Sequence, residues 1–435
     1  MLVYYHIDEL SRDAIVASAL REELKKVGGK LIYGNRATTR RLRHFNIFDV
    51  VILPGIDYYM NAYPDPNHLP DNIVILPTEA VGEATPRLRI NVKYFGNDHE
   101  ACAPWHKTIA MYLLWGFTHL KSFQNYYPAY LDKCKVVGHP RLADACVAPA
   151  RSKSNSKVVI GFATRFSMLN PFDQRPFFSV IYDGMKAKGK LVPLFFENSE
   201  NHDVEDIVYT EAVDTRVFFS LMRALDPEKY SLSIRVHPRE NKERWLDFIR
   251  KYDLNAVVSK WDDPFSVWSR SVDIVVSPPS TSFYDLLYCG MNPICIRDVV
   301  PLKEKHILTE SDDNNQILSH IYRPKSVDEI VETIHSGKVP DLSKGAEEIL
   351  EGQAGISIAK NSISNIATAI CSLPKNRRSA VVRSRRLLPF VIFAVVLVSY
   401  FKRWHYILLH GGEQSSSFMF TFGRLKMING LVKGN

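Results

Sequence analysis

The stretch "SLSIRVHPRENKERW", residues 231–245, closes an apolar run with Arg235, His237 and Pro238 and then enters a charged, helix-forming segment. Proline lacks an N–H and cannot extend a sheet ladder, so Pro238 ends the strand and leaves His237 at its rim. An imidazole there can donate a hydrogen bond to an anion, and a bound phosphate would raise its pKa and keep it protonated. Arg235, two residues back on the same strand face, supplies a second cation. The plainer reading is a histidine that caps or packs before a helix over 240–254, with Arg235 in a salt bridge.

Two further segments of the same half of the chain carry polar groups just after apolar runs. In "VDIVVSPPSTSFYDLLYCG" two prolines stop a strand, and Ser280, Thr281 and Ser282 open a helix. Free amides and hydroxyls at a helix N-terminus suit phosphate or carboxylate. Ser282 and Asp285 also fit an S-x-x-D capping pattern that needs no ligand, and the two roles are compatible. In "KVVIGFATRFSMLN" the run is followed by Thr164, Arg165 and Asn170. Ligands of open parallel sheets sit beyond the carboxyl ends of strands, where all three segments fall. With two anion-suited rims in one domain, a nucleotide phosphate is the better account.

In the first half, "NIVILPTEAVGEATPR" puts Glu79 just past a strand end, with Glu83 four residues on. A carboxylate in that position can deprotonate a sugar hydroxyl or attack an anomeric carbon. The alternative is a surface-loop glutamate. "HEACAPWH" groups His99, Cys102 and His106, but the spacing and the lack of a fourth partner match no standard zinc site, so no metal is expected. Walker A, G-x-G-x-x-G and G-x-S-x-G segments are absent from the sequence, which weakens kinase, dehydrogenase and hydrolase readings.

The elements that must position these residues repeat twice. Residues 1–150 alternate the runs "LVYYHI", "KLIYG", "DVVILPG", "NIVILPT", "YLLWG" and "CKVVGHP" with helical patterns. Residues 148–157, "APARSKSNSK", read as a linker, after which "KVVIGFAT", "YSLSIRVHP", "NAVVSK", "VDIVVSPP" and "NPICIRD" follow, again with helices between. A helical pattern then runs from Ser326 into the 360s. Continuous apolar runs separated by helices predict buried parallel strands. The expected fold is α/β: two Rossmann-like domains facing a cleft, 1–150 and 151–372, with a basic and apolar tail over 373–435.

The 435 residues carry a net charge of +8. From Lys375 onward there are eleven Lys/Arg and one acid, Glu413, a local +10 that leaves −2 for everything before it. A nearly neutral body argues against nucleic acid as a partner. The tail joins six basic residues within 375–386 to fifteen uncharged ones, "LLPFVIFAVVLVSYF", over 387–401. As a helix those fifteen reach roughly 22 Å, short of a bilayer core of about 30 Å. A helix lying on an anionic membrane surface fits better than a span, with a buried C-terminal helix as the ordinary alternative. Six scattered cysteines with no CxxC pair, and a start without a basic-then-apolar leader, suggest reduced thiols in a cytoplasmic protein.

The order of these segments resembles the bacterial surface-carbohydrate biosynthesis proteins of GT-B type, akin to capsule Kdo transferases, polysialyltransferases and CDP-glycerol glycerophosphotransferases. "PTEAVG" stands where that group has an acidic D/E-D/E-G segment, with Thr78-Glu79-Ala80 in place of adjacent acids and Gly82 late. "GHPRLAD", residues 138–144, resembles the G-N-P-R segment that closes the first domain. "ATRFSMLN" resembles the polar loop opening the second, with Arg165 where asparagine is usual. "RVHPREN" and "SPPSTSFYDLLYCGMNP" match the HP and Ser/Thr-helix-Gly-Pro segments. The resemblance spans roughly residues 1–340. It implies transfer of an acidic sugar, Kdo or related, from a CMP-activated donor to a lipid-linked glycan, on the inner face of the cytoplasmic membrane. Glu79, with Glu83 in reserve, would be base or nucleophile. His237, Ser280, Thr281 and Ser282 would hold the leaving phosphate, and Arg235 or Arg165 the donor carboxylate, beside Thr164 and Asn170. No metal or other cofactor is implied. A CDP-polyol phosphotransferase and a non-catalytic binding scaffold of the same fold are the rival readings.

Overall fold

The computed structural model describes residues 1–7, 10–42, 47–77, 94–96, 99–145, 157–171, 204–259, 265–299 and 316–374, with residues 174, 176, 179 and 390. They divide into two compact units, the first ending at Asp144 and resuming at Leu350, the second running from Ala145 to Ile349.

In the first unit β1 (Leu2–His6), α1 (Leu10–Lys26), β2 (Lys30–Gly34), α2 (Arg36–Leu42), β3 (Val50–Leu53), α3 (Ile56–Ala62) and β4 (Ile73–Ile75) follow one another. After them come α4 (His99–Thr108), β5 (Ile109–Leu114), α5 (Phe117–Tyr126), β6 (Cys134–Val136) and α6 (Leu142–Ala145). The six strands are parallel in the order β2-β1-β3-β4-β5-β6. Strands β1, β3 and β4 are buried along their whole length, as strands covered by helices on both faces must be. Each large apolar side chain so buried contributes about 1.5–3 kcal/mol.

The second unit holds β7 (Val158–Ala163), α7 (Val204–Ala224), β8 (Tyr230–Arg235), α8 (Lys242–Lys251), β9 (Ala256–Val258), α9 (Phe265–Ser269), β10 (Ile274–Ser277), α10 (Ser282–Tyr288), β11 (Ile294–Cys295) and α11 (Val327–Ser336). Its strands are also parallel, in the order β11-β10-β7-β8-β9. Counted within the unit this is 3-2-1-4-5 read from β9, the doubly wound order whose direction reverses at its first strand. Gly161 in β7 makes room for a helix: a Cβ there would stand 2.9 Å from the Trp268 ring of α9. Ser326 starts α11 by accepting the Glu329 N–H at 3.1 Å.

All eleven apolar runs picked from the sequence are strands, and the α/β class is the one expected. The division of the chain differs from 1–150, 151–372 and 373–435 at its C-terminal end. After α12 (Ala346–Ala354) and α13 (Ile356–Ala359), α14 (Ser362–Cys371) packs against α1 of the first unit, with Ile363, Ile366 and Ile370 buried. The Ala354 carbonyl accepts the His139 N–H at 3.0 Å, and Asn365 donates to the Val137 carbonyl at 3.3 Å. Nothing in the composition around residue 349 marks this return, because both units offer helices the same apolar stripe. Of the tail over 373–435, only Leu373, Pro374 and Phe390 are described, so the membrane-surface segment lies outside the described residues; the linker 148–157 does too, apart from Lys157. Among the described residues no helix is long and apolar enough to cross a membrane.

The return depends on Gly355, which has φ +58° and whose added Cβ would run into the Trp115 carbonyl at the end of β5. Gly337, at φ +68°, has open space around it. Left-handed backbone alone costs an alanine about 1–2 kcal/mol, so Gly337→Ala should cost that much and Gly355→Ala clearly more. Urea midpoints of the two variants check this, and equal losses would contradict the packing role of Gly355.

Candidate functional site

The order of the second sheet sets three loops side by side. Strand β7 lies between β8 and β10, so Thr164–Asn170, Val236–Asn241 and Pro278–Ser282 all leave the same carboxyl edge. Ends of β8 and β10 are two strand spacings apart, about 9–10 Å.

The loop after β7 is tied to both neighbours. Thr164 N–H donates to the Arg235 carbonyl at 3.0 Å, continuing the β7–β8 ladder past its last pair. Its hydroxyl lies 2.8 Å from Glu240 Oε1 and receives the His237 N–H at 3.3 Å. Arg165 is exposed between the buried Thr164 and Phe166. Its guanidinium Nη1 donates to the Pro279 carbonyl at 3.1 Å, laying the side chain across the β7–β10 switch point. On that side Ser277, buried at the end of β10, donates to Ala163 O at 3.2 Å or to Pro278 O at 2.9 Å.

His237 stands in a tight turn. Its carbonyl accepts the Glu240 N–H at 2.9 Å, and its Nδ1 accepts the Arg239 N–H at 3.2 Å. A donor facing Nδ1 places the proton of the neutral ring on Nε2. The "GHPR" segment after β6 repeats the device: Arg141 N–H donates to His139 Nδ1 at 3.2 Å. There the ring is buried and lies 4.0 Å from the Trp115 ring.

Other site candidates are engaged locally. Arg235 Nη1 lies 3.4 Å from the Ser259 hydroxyl, on the β9 side of β8 and away from the switch point. Asn170 donates from Nδ2 to the Asn241 carbonyl at 2.9 Å and accepts the Asn241 N–H on its own carbonyl at 3.0 Å, locking the loop to the start of α8. The Ser280 hydroxyl accepts the Ser282 N–H at 3.2 Å and the Ser282 hydroxyl at 2.8 Å. Ser280 thus takes the first N–H of the seven-residue α10, and Thr281 is exposed beside it. Glu79 and Glu83 lie outside the described residues. His106 is a buried core histidine: Nδ1 is 2.6 Å from the Tyr112 hydroxyl and Nε2 is 3.2 Å from the Phe95 carbonyl. Cys102 lies against Met60, with sulfur atoms 3.4 Å apart.

Two carboxylates that sequence reasoning missed hold the β7 loop from beneath. Glu240 has 0% exposure. Its Oε1 accepts the Phe166 N–H at 2.8 Å as well as the Thr164 hydroxyl, and its Oε2 accepts the Trp245 indole N–H at 2.9 Å. Glu211, reaching in from α7, accepts the Met168 and Leu169 N–H groups on Oε2 at 2.8 and 2.9 Å. Burial raises both pKa values, against the hydrogen bonds each receives. Glu211 is pushed up to about 7 by burial and by the Glu240 charge, while Arg165 pulls the other way. Glu240 stands inside the "HPREN" segment and was legible as the fourth residue of the turn. Nothing local marks Glu211 among the acids of α7.

No protein-family model matches the sequence, and no curated protein was found to match it. Solved structures share its chain course at low identity. UDP-GlcNAc 2-epimerase of Neisseria meningitidis bound to UDP-GlcNAc is 12% identical over 85% of this chain and 99% of its own, with a TM-score of 0.46. The S. aureus MnaA–UDP complex is 10% identical over 86% and 99%, with a TM-score of 0.48. The wall teichoic acid polymerase TagF is 12% identical over 85% and 88%, with a TM-score of 0.44.

Because Glu211 has a raised folded-state pKa, its proton stabilises the fold fully below the unfolded value near 4.5 and less as pH rises through about 7. Glutamine keeps an acceptor for the two amides and does not ionise. Glu211→Gln should therefore gain on the wild type between pH 5 and 8, by on the order of 1–3 kcal/mol. Denaturant midpoints across that range check it. A stability difference that does not move with pH would contradict the assignment.

Proposed function

We propose that the chain is a nucleotide-dependent transferase of surface-polysaccharide assembly, and that the carboxyl edge of the second sheet receives the phosphate of its donor. The observation that carries this is the junction of three loops at a switch point, with an imidazole whose Nδ1 is held by the backbone and an exposed guanidinium on adjacent loops. Uncharged donors fixed by the backbone suit an anion that gains charge as a bond breaks, because they need little reorganisation when the charge appears.

In this reading the donor is a CMP-activated acidic sugar, Kdo or related, and the acceptor a lipid-linked glycan. His237 Nε2–H and the hydroxyls of Ser280 and Thr281 take the leaving phosphate, with the Ser282 O–H orienting Ser280. Arg165 meets the donor carboxylate, a planar anion that a guanidinium can grip with two hydrogen bonds. Arg235, turned toward Ser259, is the weaker candidate for that contact. Glu79 is assigned as base or nucleophile with Glu83 in reserve, on the sequence resemblance alone. The chemistry calls for no metal, and the basic, apolar tail would hold the enzyme at an anionic inner membrane surface.

Thermal shift of the full chain against CMP, CDP, UDP and GDP tests the donor class: selective stabilisation by cytidine nucleotides supports it, and a UDP-selective response overturns it. With a turned-over donor, His237→Ala should lower transfer by on the order of 100-fold, the cost of losing one preorganised donor. Undiminished turnover would remove His237 from the reaction. Product mass separates sugar transfer from the polyol-phosphate alternative.

A further inference from the structure

Arg165 and His237 belong to different loops, yet both loops are tied to one residue. We propose that Glu240 is the positioning residue of this edge: its buried carboxylate orients the Arg165 loop directly and, through the Thr164 hydroxyl, the His237 turn that its own N–H closes. One of its oxygens, Oε1, holds the residues on either side of Arg165, through the Thr164 hydroxyl at 2.8 Å and the Phe166 N–H at 2.8 Å. Residues 164 and 166 are thereby drawn into the core, and the guanidinium between them is turned outward to Pro279. The same residue's N–H closes the His237 turn on the His237 carbonyl at 2.9 Å. Thr164 completes the circuit by accepting the His237 N–H at 3.3 Å. An antiparallel bridge between Pro171 and Glu240 fixes the far end of the loop to the same point.

Stability alone does not call for a charge there. Buried ionic groups are often replaceable by apolar residues without loss, whereas removing one partner is costly. An apolar residue at position 240 would fill the volume but would offer no acceptor to the two groups flanking Arg165. Glutamine is nearly isosteric but also fails. Both carboxylate oxygens of Glu240 accept from N–H groups, Phe166 on one side and Trp245 on the other, so an amide must turn its own NH2 against one of them. Glu211 differs, because only its Oε2 faces amides while Oε1 lies 3.4 Å from the Ser167 hydroxyl, which can accept as well as donate. Position 240 should therefore discriminate against glutamine, and position 211 should tolerate it.

The inference rests on the reading of this edge as an anion site, and two readouts keep the two apart. The first needs no ligand: the rate at which phenylglyoxal modifies Arg165 in the full chain, read by peptide mass spectrometry, with exposed Arg250 as internal standard. Glu240→Gln should raise the Arg165 rate several-fold and leave Arg250 unchanged, while Glu211→Gln should change neither. The second is CDP affinity by calorimetry. Glu240→Gln should weaken it about tenfold, near 1.4 kcal/mol, and have no further effect in an Arg165→Ala/His237→Ala background. Should Glu240→Gln fail to fold, Thr164→Val, which keeps the carboxylate and its Phe166 bond but removes the hydroxyl that joins it to both loops, is read in the same way. An unchanged Arg165 rate in a folded variant overturns the inference whatever the protein binds. So does an affinity loss that persists undiminished in the double background, since that is a general structural effect. A raised Arg165 rate in Glu240→Gln, with a wild-type protein that binds no nucleotide, supports Glu240 as positioning residue and overturns the functional reading alone.

Discussion

The hydrogen bond between the Thr164 hydroxyl and Glu240 Oε1 is the constraint on which the candidate site depends. With the Phe166 and Asn170 bonds on either side of it, it makes the loops after β7 and β8 one rim. Strand order makes the bond possible. Because β8 is the direct neighbour of β7, with Ala163 in register with Arg235, the first residue beyond each strand arrives next to the other. On the opposite side β10 is the other neighbour of β7, and there the contact is made by Arg165 on the Pro279 carbonyl. A doubly wound sheet opens at the strand where its order reverses. This chain bridges that opening with a guanidinium.

The electrostatics are unusual in their distribution. Exposed groups at the edge include donors, the Arg165 guanidinium and the Thr281 hydroxyl. Beneath them lie two carboxylates, each engaged by backbone amides of the very loop that presents the donors. Burial raises the cost of ionising each, with the Glu240 charge adding to it at Glu211, which is why each shifts upward despite the hydrogen bonds it receives. Backbone amides that would otherwise be available to an anion, at Phe166, Met168 and Leu169, are already satisfied from within. The exposed side chains of this edge are Arg165 and Thr281 among the predicted site residues.

Much of the fold was legible in the sequence, for a definite reason. Parallel strands covered on both faces must be apolar without interruption, so runs such as "DVVIL" and "VDIVV" identify themselves and their breakers mark the ends. Even β8, whose Ser231 and Ser233 interrupt the pattern, was found, because its outer face is packed by Trp268, whose indole donates to Ser233 at 2.9 Å. Placement of Thr164, Arg165, His237 and the 280–282 segment on one edge followed from the same rule. Partner choice was not legible. Which strand neighbours β7 is decided by crossovers that leave no local mark, and so are the turning of Arg235 toward Ser259 and the use of Asn170 as a strut to Asn241. Glu211 is one acid among several on a helix whose inward face only the packed sheet defines. Helix α14 has a clear apolar stripe, but the stripe names no destination, and it docks on α1 at the other end of the chain within the first unit.

A crystal structure of the full chain soaked with CDP would test the central claim most directly. The account predicts a phosphate on the carboxyl edge of β7, β8 and β10, accepting from His237 Nε2 and touching the Arg165 guanidinium, with Glu240 still bonded to Thr164. Phosphate density bound elsewhere on the chain, with that edge unoccupied at saturating nucleotide, would contradict it.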